Sequence, residues 1–199
     1  MIYNELRLQE YSVLIYRILL AHIAYVFLRV LFVFYNNDIV QVYDVENFFY
    51  LSVLGFRFDS SAIAYSNLFF IFFSVLPLSF LRLKKHQFFS TLLYFISNSI
   101  FLILNFIDFA YYRFNLNRMM GNFLESISKE NNKLKLIFHF LFQYLNLVLL
   151  FFLFLFIWIG LYKLVKVKQE KIENYKVYYL SSIFGILISS ALIVMMARG

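Results

Sequence analysis

Five apolar stretches, each long enough to cross the hydrocarbon of a bilayer, divide the chain, and short polar connections separate them. A helix needs about 20 mostly apolar residues to span that core. The stretches cover residues 11–35, 62–81, 88–112, 136–164 and 177–196. A shorter apolar segment, Phe48–Phe56, precedes the second stretch; it is too short to span, so it is expected at the interface or as a re-entrant piece. In the third connection Met120, Phe123, Leu124 and Ile127 recur at helical spacing, with Asn117, Asn122, Glu125, Ser126 and Lys129 on the other side. That pattern predicts a short amphipathic helix, lying on the membrane surface or packed on the bundle. The periodicities together predict an all-α polytopic membrane protein: five transmembrane helices plus short interfacial helices, forming one transmembrane domain over residues 1–199.

Composition strengthens this picture. The chain is 63% hydrophobic, whereas a soluble domain is about 45–50% apolar, and a single soluble core could not hide the excess. The first stretch is expected to be an uncleaved anchor and not a cleaved signal peptide: it is too long, it contains Arg17, His22 and Arg29, and no small-residue cleavage site follows it. With no cysteine, disulfides and thiol chemistry are excluded. The net charge of +7 fits loops facing anionic lipid, and no basic, glycine-rich stretch points to nucleic acid.

Lys and Arg set the orientation. Arg82, Lys84 and Lys85 mark the second connection as cytoplasmic, and Lys163, Lys166, Lys168, Lys171 and Lys176 mark the fourth. The first connection has Asp38, Asp44 and Glu46 and no Lys or Arg. The expected topology therefore has the N-terminus inside and the C-terminus outside. The third connection, with Arg113, Arg118, Lys129, Lys133 and Lys135, runs against this rule, and cations on the outer side would suit an anionic headgroup.

Charges inside apolar sequence gather toward one face. Arg57 and Asp59 open the second stretch, and Asp108 and Arg113 close the third, with Arg118 just beyond. Successive spans run antiparallel, so these ends emerge together. A charge in hydrocarbon is costly and implies a partner or a function. One reading is a network tying span two to span three, through Asp59–Arg113 or Arg57–Asp108. The other is a lipid headgroup or phosphate site, in which Arg57, Arg113 or Arg118 clamps the anion with its planar fork and Asp59 or Asp108 orients it. Gly55 would permit a turn here, and Arg29, near the outer end of span one, could join the cluster. Deeper residues read as structural. His22 is expected to hydrogen-bond a neighbouring helix, Arg17 to snorkel to the inner surface, and His139 and Gln143 to pack between helices. Trp158, Tyr162, Tyr178 and Tyr179 are expected in an aromatic belt, and Pro77 to kink span two. No catalytic constellation, metal-ligand spacing or phosphate-binding glycine loop is complete, so no catalytic residue and no metal or cofactor is assigned to this chain.

Three pieces resemble the membrane region of the lipoteichoic acid synthase-like sulfatase family, of the alkaline phosphatase superfamily. Gly55-Phe56-Arg57-Phe58-Asp59-Ser60-Ser61-Ala62 is similar to that family's G-x-R-x-D-x-S opening of span two. Ile107-Asp108-Phe109-Ala110-Tyr111-Tyr112-Arg113-Phe114, followed by Asn117-Arg118, resembles its acidic, aromatic and basic exit from span three. Ala197-Arg198-Gly199 follows span five where the family continues into an extracellular linker. Met119-Met120 departs from the small hydroxyl residues expected after Arg118. The resemblance implies a bacterial inner-membrane anchor that presents a lipid to a sulfatase-like phosphoglycerol or phosphoethanolamine transferase. The catalytic domain, with its divalent metal, would follow residue 199. The partners implied are membrane lipids, including an anionic phospholipid headgroup, and that domain. The alternatives are a small transporter, which needs a polar path across the bilayer, or a non-catalytic membrane scaffold.

Overall fold

The computed structural model describes residues 6–40, 45–76, 84–118, 133–167, 172 and 174–198. Among these, seven α-helices account for the regular structure: α1 Leu8–Tyr35, α2 Val45–Ser66, α3 Leu68–Val75, α4 Lys84–Asn115, α5 Lys133–Gln143, α6 Leu145–Leu164 and α7 Tyr175–Arg198. Helices α1, α4, α6 and α7 are each long and apolar enough to cross a membrane, and the bent pair α2–α3 would supply a fifth crossing. Pro77, Arg82 and the amphipathic pattern around Met120–Lys129 lie outside the described residues.

Helix α1 is the hub. It packs on α2, α3, α4 and α6, while α7 covers α2 and α3, and α6 also packs on α4. Ala21 and Ala24 on α1 are buried, and small residues there let neighbouring backbones approach closely. The core adds Leu20, Leu28, Phe70, Leu102, Phe106 and Trp158. The outer surface is itself apolar: Phe34, Phe69, Phe142, Phe156 and Met195 are all at least 70% exposed. In water such a surface would drive aggregation; in a bilayer it is matched to its solvent.

Three boundaries differ from the sequence pattern. The segment Phe48–Phe56, expected to stand apart, belongs to one helix running from Val45 to Ser66. That helix then breaks at Asn67 and turns by 61° into α3. Asn67 sits at the bend, and its backbone N–H still donates to the Ile63 carbonyl at 2.9 Å. Its Nδ2 donates back to the Ile63 carbonyl at 3.2 Å, and it exchanges bonds with Asn98 of α4 at 3.1 and 2.7 Å. An asparagine that bonds backbone locally competes with the helical ladder. Helix α3 ends at Leu76, which is extended (φ −49°, ψ 141°), the conformation favoured before a proline. The fourth apolar stretch is likewise interrupted, at Tyr144 between α5 and α6.

Helix ends define two faces of the bundle. At the near face, where α1 begins, Arg7 meets the end of α3, and Gln87 at the start of α4 donates to Val167 just past α6. At the far face, Arg113 at the end of α4 donates to the Tyr35 carbonyl at the end of α1. Ser61 donates to Met196 near the end of α7.

Candidate functional site

The far-face cluster is built from three helices. Arg29 lies in the last third of α1. Its Nη2 donates to Asp59 Oδ2 of α2 at 2.5 Å, and its Nη1 to the Ser52 carbonyl at 2.7 Å. Gly55 makes this possible. A Cβ there would collide with the Arg29 guanidinium, so the glycine provides room for a side chain rather than a turn, and α2 runs through it unbroken.

The second pair is Arg118 with Asp108. Helix α4 ends at Asn115, and Leu116 follows with φ 53°, the left-handed conformation that commonly stops a helix. The chain then reverses, so that Arg118 Nε donates to Asp108 Oδ2 at 2.8 Å. The Arg118 guanidinium also lies 4.7 Å over the Phe32 ring of α1. Asp108 is nearly buried, at 8%, whereas Arg118 is 56% exposed. Among the described residues no protein acceptor engages the two terminal nitrogens of Arg118. The two pairs adjoin: Asp59 lies within electrostatic reach of Arg29, His22 and Arg118.

Of the residues singled out from sequence, Asp59, Asp108 and Arg118 come together, joined by Arg29. Asp59 pairs with Arg29 rather than with Arg113, and Asp108 accepts from Arg118. Arg57 is exposed, on another side of α2 from Asp59, as a separation of two residues on a helix dictates. Arg113 holds the surface instead, with Asp38 at 2.5 Å and the Tyr35 carbonyl at 2.8 Å.

An apolar groove of about 660 Å³ lies beside the cluster. Leu19, Ile23, Val26, Phe27 and Val30 of α1 form one wall, and Phe56 of α2 and Met196 of α7 close the others. Eleven residues of α1 separate Leu19 from Val30, which at about 1.5 Å each gives some 16 Å of groove along the helix. His22 and Ser60 are its polar members, and they bond to each other across α1 and α2 at 3.2 Å.

Several deeper residues differ from expectation. Arg17 does not snorkel outward: it is 8% exposed and stacks 4.2 Å over the Tyr162 ring. Trp158, Tyr162 and Tyr178 are buried rather than forming a belt, and Trp158 donates to the Tyr94 hydroxyl. His139 and Gln143 are exposed. Arg7, unremarked in the sequence, is completely buried. Its guanidinium donates to the carbonyls of Ser74, Val75 and Leu76 and to Ser182 Oγ, satisfying the open carbonyls that end α3. Among the described residues no group of three His, Asp or Glu could hold a metal ion.

The helical architecture and apolar exterior define the class, an all-α polytopic membrane protein. Comparison of the chain with protein-family models, with curated proteins and with solved structures finds no match.

Proposed function

We propose that this chain is a lipid-presenting membrane domain that holds a phospholipid headgroup at its far face. The observation that carries the reading is Arg118. It is steered by Asp108, packed on Phe32 and mostly exposed, with its terminal nitrogens turned to no acceptor among the described residues. A guanidinium held this way offers two donors to phosphate oxygens. The adjoining apolar groove, of about 660 Å³, gives an acyl chain a place alongside, and the Arg29–Asp59 pair braces α1 against α2 beneath the headgroup. In this reading the domain serves a sulfatase-like phosphoglycerol or phosphoethanolamine transferase in a bacterial inner membrane. The catalytic domain, not this chain, would supply the metal and the nucleophile.

The test is competitive lipid retention. Delipidated protein would be offered equal amounts of phosphatidylglycerol and phosphatidylcholine and examined by native mass spectrometry. Preferential retention of phosphatidylglycerol is expected, with about a tenfold loss in Arg118→Ala. Equal retention of the two lipids, unchanged by that substitution, would refute headgroup recognition. The transferase part has its own test. In a protein carrying a sulfatase-like domain after this one, Arg118→Ala should lower headgroup transfer without lowering membrane insertion, and unchanged transfer would sink that part alone.

A transporter reading draws on the polar residues that descend through the bundle, from His22–Ser60 to Asn67–Asn98 to Tyr94 and Arg17. All but Arg17 bond through their side chains to one another or to backbone, Tyr94 donating to the Arg17 carbonyl, which favours packing over a path.

A further inference from the structure

The near face carries a second polar site, independent of the far-face reading. A cavity of about 50 Å³ opens there, lined by Arg7 just before α1, by Glu10 and Arg17 of α1 and by His86, Gln87 and Ser90 of α4. A single water needs about 10–15 Å³ of such space, so several waters, or one small oxyanion displacing them, would fit.

Among the described residues of the cavity wall, cations outnumber carboxylates. Arg7 is committed to the end of α3, and its Nε lies 3.9 Å from Glu10 Oε2. Arg17 lies about two turns along α1 from Glu10, on the same face. It is more than nine-tenths buried, its guanidinium meets the face of Tyr162, and its Nε has no hydrogen-bond partner. Among the described residues, two guanidiniums therefore share the cavity wall with one carboxylate. A buried charge without a counter-charge is costly, and a cation over an aromatic ring is only partly compensated. Lys163 and Lys166, exposed at the end of α6 on the same face, add to a field that attracts anions.

We infer that this cavity binds a phosphate oxyanion, with the Arg17 guanidinium as the principal contact and Ser90 as a further donor. Arginine matches phosphate geometry with paired donors. Glu10 opposes the anion, which limits the site to a ligand of low charge, such as a phosphodiester headgroup from the near leaflet or inorganic phosphate.

The test uses the full chain in dodecyl maltoside micelles, which carry no phosphate, with the thermal unfolding midpoint as readout. Sodium phosphate is titrated against sodium chloride at matched ionic strength. Dihexanoyl phosphatidylglycerol is titrated into the Arg118→Ala protein, where the far-face headgroup contact is absent. A saturable rise of the midpoint is expected. Arg17→Lys, which keeps the charge but loses the fork, should raise the apparent dissociation constant about tenfold, and Arg17→Gln should abolish the response. A response to both probes supports a site that needs only the oxyanion; a response to the lipid alone supports a headgroup of the near leaflet. No saturable rise in protein with Arg17 intact, whether or not the variants fold, means the cavity holds water and overturns the inference. A rise that is the same in Arg17→Lys and Arg17→Gln overturns it equally.

Discussion

Replacing Asp59 with asparagine removes one charge from a four-member cluster while keeping the shape of the side chain. Arg29 then keeps the Ser52 carbonyl but loses its counter-charge, and the positive Arg118 remains within reach of the site. Arg29 and Asp59 are 18% and 16% exposed, so solvent screens them little. Charge centres about 4 Å apart interact by about 4 kcal/mol at an effective dielectric constant of 20. Breaking one side of a buried pair costs about 3–5 kcal/mol, because the other charge is stranded. Partial exposure and the remaining carbonyl contact bring the expected cost of Asp59→Asn to about 2–4 kcal/mol. Arg29→Met should cost a similar amount. The double variant should be less destabilised than the sum of the two, with a coupling of about 1.5 kcal/mol or more. Unfolding in mixed micelles of increasing dodecyl sulfate fraction, followed by circular dichroism, measures all three. Costs that add to within about 0.5 kcal/mol would show that the pair does not brace α1 against α2.

Three further predictions use the same unfolding assay. Leu116→Gly should stabilise the chain by about 1 kcal/mol, because a leucine in the left-handed conformation is strained and a glycine is not; a loss of stability would contradict the helix-end geometry. Gly55→Ala should be destabilising, because the new methyl displaces the Arg29 guanidinium. Gly160→Ala meets nothing within 4 Å and should be neutral or stabilising by up to about 1 kcal/mol; equal effects at the two glycines would count against the close approach at Gly55. Asn98→Leu should cost about 1–3 kcal/mol by orphaning Asn67 Oδ1, and adding Asn67→Leu should recover part of that; no recovery would mean that the two amides are not coupled.

The long apolar runs were legible because length and composition alone constrain them. α1, α4, α6 and α7 all fall where the hydropathy pattern puts a span, and antiparallel alternation brings Asp59 and Asp108 to one face. The break at Asn67 was not legible, because the partner of its amide, Asn98, lies 31 positions away. The pairing of charges was equally hidden. Arg29 reaches Asp59 only because Gly55 lacks a side chain, and Arg118 returns to Asp108 only because the chain reverses at Leu116. The sequence signals existed, in a glycine four residues before an acidic residue and in an arginine seven residues after a histidine on one helix face, but neither names its partner. Arg17 reads as an interfacial cation near the end of a span, and Arg7 carries no local signal at all. Their burial depends on the end of α3 and on Tyr162, and no local pattern announces either. Trp158 and Tyr162 show the same limit, since aromatic residues near a span end suit a lipid interface and a helix interface equally well.

The central claim is that Arg118 holds an anionic headgroup beside α1. The chain has no cysteine, so a single nitroxide can be attached at Asn117→Cys without background labelling. Phosphorus-31 relaxation would then be measured in bilayers containing phosphatidylglycerol and phosphatidylcholine. The account predicts that the spin label selectively enhances relaxation of the phosphatidylglycerol phosphorus and that Arg118→Ala abolishes the selectivity. Equal enhancement for both lipids, with or without Arg118, would contradict it.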